Sequence, residues 1–223
     1  MEHRASSPLS AETVRANYDR IKAQVGAEVT IVAAIKYVSV DDLAGLAEAG
    51  VAVVGENRAH DLEEKHARYG DAFRWHFIGH LQSRKAKTVN ELCERCHSLA
   101  SESAARRLEI PALVEVNLSG EASKSGIPES ELEQFLALYD DVRGLMTMPP
   151  ETGDPEASRP YFRRLRELAE RNGLSELSMG TSQDYRVAAD EGATMVRLGS
   201  ILYAGRLTHG LGAERDSFRR GRD

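Results

Sequence analysis

The 223-residue chain has little of what marks several protein classes. It holds two cysteines, one tryptophan and seven prolines. Two cysteines in a chain this long build no disulfide framework, which excludes a small secreted scaffold and makes a reducing cytoplasm the expected compartment. No stretch approaches the roughly 18 apolar residues that a membrane-spanning helix needs. The opening residues, MEHRASSPLSAETV, lack the apolar centre of a secretory leader. Positive charge is not in excess: Lys plus Arg is 29 against 35 Asp plus Glu, a formal net charge of −6. A nonspecific nucleic-acid binder needs a basic surface, so this balance argues against one while leaving room for a local anion site. The 41% hydrophobic and 29% charged content describes a soluble globular chain rather than a disordered one.

What the chain does have is alternation. Residues 10–25 pattern as an amphipathic helix, with Ser10 at the capping position and Val14, Tyr18, Ile21 and Val25 at three- and four-residue steps. Short apolar runs then read as strands at 29–35, 51–56, 73–79, 96–100, 112–118, 142–148, 176–180 and 194–200. Helical patterns at 41–50, 58–68, 83–94, 101–109, 129–140, 156–172 and 183–191 separate them. Repeated βα units require parallel strands covered by helices, and eight of them predict a closed (β/α)8 barrel in one domain over 1–223. An open doubly wound sheet is the alternative. It would carry a G-x-G-x-x-G turn after its first strand, where this chain has Ile35-Lys36-Tyr37-Val38. The Pro/Gly/Ser-rich pieces 119–128 and 149–160 read as long βα loops, and the Arg-rich tail 207–223 as a flexible end.

A barrel places its active site at the C-terminal ends of its strands. The polar residues there are Lys36, then Glu56-Asn57-Arg58, His80, Asn117 with Ser119, Thr147 after Met146, Ser182 with Asp184, and Arg197 through Ser200. Lys36 follows a seven-residue apolar run. Burial there disfavours the ammonium, and a neutral amine attacks aldehydes. Its bland alternative is a lysine that reaches out to solvent. The segments MGTSQD (179–184) and RLGS (197–200) gather glycine, hydroxyl and backbone N–H groups where barrels bind phosphate. Ser182 is equally placed to cap the helix that follows it, and Arg197 to pair with a carboxylate. Cys93 and Cys96 have C-x-x-C spacing but no second ligand pair, so they read as two packed thiols and no metal is expected. Trp75 and His76 read as core and barrel wall.

Several segments in one order carry a family resemblance: AAIKYVSVDDLAGLAEAGVAVVGENRAHDLEEK (33–65), WHFIGHLQSRK (75–85), NLSGEASKSGI (117–127), GLMTMP (144–149) and LSMGTSQDYRVAADEGATMVRLGSILYAG (177–205). From about residue 10 to 206 the chain resembles the pyridoxal-phosphate homeostasis proteins, which are similar to the barrel half of alanine racemase without its β-domain. The resemblance implies that Lys36 holds pyridoxal 5′-phosphate (PLP) as a Schiff base. It implies that Ser182, Gly199 and Ser200 hold the phosphate, that Arg197 faces the pyridine nitrogen, and that Asn57 lies beside the ring. It further implies a cytoplasmic monomer that stores, buffers or delivers PLP, with transient apo-enzyme partners and no dedicated catalytic activity. The chain departs from the family at Ile35 and Tyr37 around the lysine, at Thr181, and at Tyr203-Ala204. A PLP-dependent amino-acid racemase is the enzymatic alternative, but two-base racemisation needs a second acid/base that the missing β-domain usually supplies. A cofactor-free Schiff-base aldolase is a third reading.

Overall fold

Short β-branched runs, each too brief to bury a helical face, pair side by side into a ring. The computed structural model describes residues 9–121 and 124–204. The ring strands are β1 (Thr30–Ala34), β2 (Val53–Glu56), β3 (Arg74–Phe77), β4 (Arg95–Leu99), β5 (Ala112–Asn117), β6 (Val142–Met146), β7 (Glu176–Ser178) and β8 (Met195–Leu198). Every neighbouring pair is parallel, β4 joins β5, and β8 returns to β1, so the sheet closes on itself. The eight-unit barrel is therefore the fold, and the open sheet is not. A two-residue strand, Ile127–Pro128, attaches to β5 within the long loop 119–128.

The covering helices are α1 (Ala11–Val25), α2 (Leu43–Glu48), α3 (Ala59–Tyr69), α4 (Ala86–Leu92), α5 (Glu102–Ala105), α6 (Leu132–Leu136), α7 (Arg159–Arg171), α8 (Tyr185–Asp190) and α9 (Ser200–Tyr203). Several are shorter than their sequence patterns suggest. The first turns of the patterns at 83, 129 and 156 tighten into 3₁₀ turns, as helix ends commonly do. Helix α1 starts where expected: Ser10 Oγ accepts from the Thr13 N–H at 3.3 Å, and Gly26 at φ 94° ends it. The expected flexible tail, 207–223, lies outside the described residues. Among the described residues no helix is long and apolar enough to cross a membrane.

Side chains alternate across each strand, so every strand feeds two cores. Ile31, Ala33 and Ile35 point outward to the helices. Val32, Val53, Leu113, Met146 and Met195 meet inside the barrel with Ile78 against them. This alternation positions the site: Ala34 shares the inward parity of Val32 and Arg197 that of Met195, and Lys36 follows in the turn just beyond β1.

Candidate functional site

Arg197 is the one arginine on an inward position of β8, and it is 6% exposed. Its Nη1 donates to the Ser178 carbonyl at 2.8 Å and to Ser178 Oγ at 2.6 Å, and its Nη2 donates to the Thr147 carbonyl at 3.2 Å. Burial pulls its pKa down to about 10, while Glu115 and Asp184 favour the charged form. At neutral pH it remains a cation. Its closest partners are two carbonyls and a hydroxyl rather than a carboxylate, so the ion-pair alternative is not what the fold uses.

Ser182 does not cap α8, which begins at Tyr185. Asp184 stabilises that turn instead, its Oδ1 accepting from the Thr181 N–H at 2.7 Å and its Oδ2 from the Ser158 hydroxyl at 2.7 Å. Ser182 Oγ reaches across to the next βα loop and accepts from the N–H groups of Gly199 at 3.4 Å and Ile201 at 3.5 Å. Bonds of that length are weak, so both N–H groups retain capacity for a stronger acceptor. Gly180 sets up this crossing: it sits at φ +90°, and a Cβ there would lie 2.5 Å from Ala188 Cβ. Ser182, Gly199 and the exposed Ser200 thus converge on one small cup at the ends of β7 and β8.

Lys36 stands two residues beyond β1 and is half-buried, less enclosed than the apolar run before it suggests. Its Nζ lies 4.7 Å from the ring centre of Tyr37, which is 67% exposed. The backbone beneath it is fixed from two sides. Lys65 on α3, itself buried, donates to the Ile35 carbonyl at 2.7 Å and to Glu56 Oε2 at 2.5 Å. The Tyr203 hydroxyl donates to the Ala34 carbonyl at 3.2 Å, tying α9 to the end of β1. Glu56 Oε1 accepts from the Asn57 N–H at 2.6 Å, and Gly79 packs against Asn57 so closely that a Cβ would come within 1.9 Å of its carbonyl. Asn57 is half-buried at the mouth, next to the β1 end.

The remaining strand-end candidates do other work. Asn117 folds onto its own loop, accepting from the Ser119 and Gly120 N–H groups. His80 and Arg58 are exposed. Cys93 and Cys96 are buried free thiols, and burial raises both, Cys96 to about 11. Among the described residues no His, Cys, Asp and Glu group is arranged to hold a metal. Lys65, Ser178, His97 and Tyr203 act from helix faces or the barrel interior, where the strand-end pattern of the sequence does not mark them. An open groove of about 550 Å³ lies along α8, with Ser182, Asp184 and Ile201 in its lining.

The lysine just beyond β1, the buried arginine and the N–H cup make a barrel mouth that suits a phosphorylated aromatic aldehyde. The family model for the alanine racemase N-terminal domain matches residues 9–206, which sets the class of the protein. The pyridoxal phosphate homeostasis protein of Aquifex aeolicus is 39% identical over 178 residues, covering 70% of this chain and 78% of that one. That of Deinococcus radiodurans is 35% identical over 211 residues, covering 88% of this chain and all of the relative. The structure of PipY from Synechococcus elongatus with PLP bound superposes with a TM-score of 0.75 at 29% identity, covering 85% of this chain and 99% of that one. The chain belongs to the pyridoxal phosphate homeostasis protein family.

Proposed function

We propose that this protein holds PLP at the barrel mouth and serves PLP homeostasis rather than a reaction of its own. Lys36 is the covalent anchor, the cup of Ser182, Gly199 and Ser200 takes the phosphate, Arg197 faces the pyridine nitrogen, and Asn57 lies beside the ring. The donor set fits the group: N–H groups and hydroxyls for a dianion at one end, and a primary amine for an aldehyde at the other. PLP supplies an electrophilic aldehyde and an electron-withdrawing ring. The observation that carries the reading is the adjacency of β7, β8 and β1, which gathers the cup, the arginine and the lysine on three consecutive strands.

Arg197 separates a carrier from a catalyst. A guanidinium opposite the ring nitrogen opposes protonation there, and an unprotonated ring is the weaker electron sink. The names of the relatives support the same side, since they are homeostasis proteins. The setting we propose is the cytoplasm, with a monomer that passes cofactor transiently to apo-enzymes. The test incubates the PLP-loaded protein with L-alanine, L-serine and an apo-transaminase. Reactivation of the apo-enzyme without D-amino-acid formation is expected. Racemase turnover that disappears in Lys36→Ala would overturn the reading.

A further inference from the structure

The barrel interior holds a line of polar side chains that cofactor contact does not explain. His97 on β4 is fully buried, and its Nδ1 lies 2.7 Å from Ser178 Oγ, the atom that accepts from Arg197. Its Nε2 lies 2.9 Å from Nδ1 of His76, 3% exposed on β3. His76 Nε2 is 3.2 Å from Glu94 Oε1, and Glu94 also accepts from Arg74 Nε at 2.6 Å. Glu94 is 41% exposed at the N-terminal rim of the barrel. The line therefore runs from the mouth, through the core, to water on the opposite face.

Its two ends fix the direction of every bond between them. Arg197 has only donors, so Ser178 Oγ accepts from it and its own hydrogen is free to be given on. The Glu94 carboxylate has only lone pairs, so His76 Nε2 carries a hydrogen toward it. With both rings neutral, His76 Nδ1 must accept, His97 Nε2 must donate to it, His97 Nδ1 must accept, and the Ser178 hydroxyl must donate to that nitrogen. Both ends give the same pattern, with no donor facing a donor. Burial and the nearby cations support neutral rings: His76 faces Arg74, Arg95 and Glu94, and His97 faces His76, Arg95 and Arg197.

We propose that Ser178, His97 and His76 form one directed hydrogen-bond relay from Glu94 to Arg197, and that they are positioning residues for the guanidinium at the cofactor ring. The proposal rests on the reading that Arg197 faces the pyridine nitrogen. Ser178 holds Arg197 with its hydroxyl oxygen only while its hydrogen has an acceptor in His97. Without that acceptor the hydroxyl is buried with an unpaired hydrogen, which rotates to find a partner and loosens the grip on Nη1.

Two measurements test the relay. The first uses the cofactor-free protein: nitrogen-15 NMR of the histidine rings at pH 7.5. Both His76 and His97 should be neutral with the hydrogen on Nε2, and a hydrogen on Nδ1 of either ring would overturn the proposal. The second follows PLP affinity and the yellow visible band of the bound cofactor. His97→Leu should weaken affinity about tenfold and shift the band. His97→Gln, which supplies one acceptor and one donor, should restore most of both. Ser178→Ala removes a single oxygen and should give the same roughly tenfold loss and band shift, which keeps the test available if His97→Leu unfolds the protein. Equal loss in His97→Leu and His97→Gln, or no spectral change in Ser178→Ala, would overturn the positioning role. Absence of a cofactor band in the wild type would overturn both this coupling and the cofactor reading, whereas the ring tautomers judge the relay itself.

Discussion

Val32 and Arg197 are register partners across β1 and β8. Both face the barrel interior, and Lys36 follows β1 in the turn just beyond its C-terminal end, on the mouth side of that pair. In the proposed site, Arg197 would take the ring nitrogen and Lys36 the aldehyde, with the cup on the β7 and β8 loops taking the phosphate. This arrangement divides recognition into three separable parts, each with its own test.

The cup is tested by Ser182→Ala. Loss of a hydrogen bond to a charged phosphate removes roughly 1.5–3 kcal/mol. PLP affinity should fall about 10- to 150-fold, while pyridoxal without the phosphate should bind wild type and variant alike. Measured by fluorescence titration, equal PLP affinity in the two proteins would remove Ser182 from the cup.

The base of the lysine is tested through Lys65. Its ammonium is buried against Glu56 and the Ile35 carbonyl, so Lys65→Met leaves a buried carboxylate without its counter-charge. Breaking one side of such a pair costs about 3–5 kcal/mol. Urea unfolding should show a loss of that order, and a loss below about 1 kcal/mol would mean that the pair does not hold the β1 end.

Much of this was legible in the chain. The eight βα units stand out because parallel strands covered on both faces read as unbroken β-branched runs, as in VTIVAAI, and because Gly50 and Gly192 punctuate the helices. Lys36, Ser182 and Arg197 stand out because each interrupts or follows such a run. The interior relay was not legible. His97 reads as a neighbour of the Cys93-Cys96 spacing, and the register of β4 against β5 shifts between Cys96 and Leu99, so period-two counting there does not say which side chains point inward. Ser182 was ambiguous because its partners, Gly199 and Ile201, belong to the next βα unit, and local spacing sees only the helix beside it.

The buried histidines give a pH dependence with a definite sign. Burial pulls His76 down to about 4 and His97 well below its usual range, against the help His76 receives from Glu94. In the unfolded chain both return to about 6.5. Below that pH the unfolded state binds protons that the folded state refuses, so stability falls as pH drops from about 6.5 through about 4. Chemical unfolding at pH 7.5, 6 and 5 should show this decline, and His97→Gln should show a shallower one. An identical slope in the variant would mean that His97 is not held neutral in the fold.

The proposed site depends above all on Lys36 as the anchor of the cofactor. Borohydride reduction of the PLP-loaded protein, followed by peptide mass spectrometry, tests it most directly. Borohydride should replace the yellow visible band with the near-ultraviolet absorbance of a reduced pyridoxyl amine, and the adduct should lie on the peptide carrying Lys36, with none formed in Lys36→Ala. An adduct on Lys85, Lys87 or Lys124 instead, or full adduct formation in Lys36→Ala, would contradict Lys36 as the anchor.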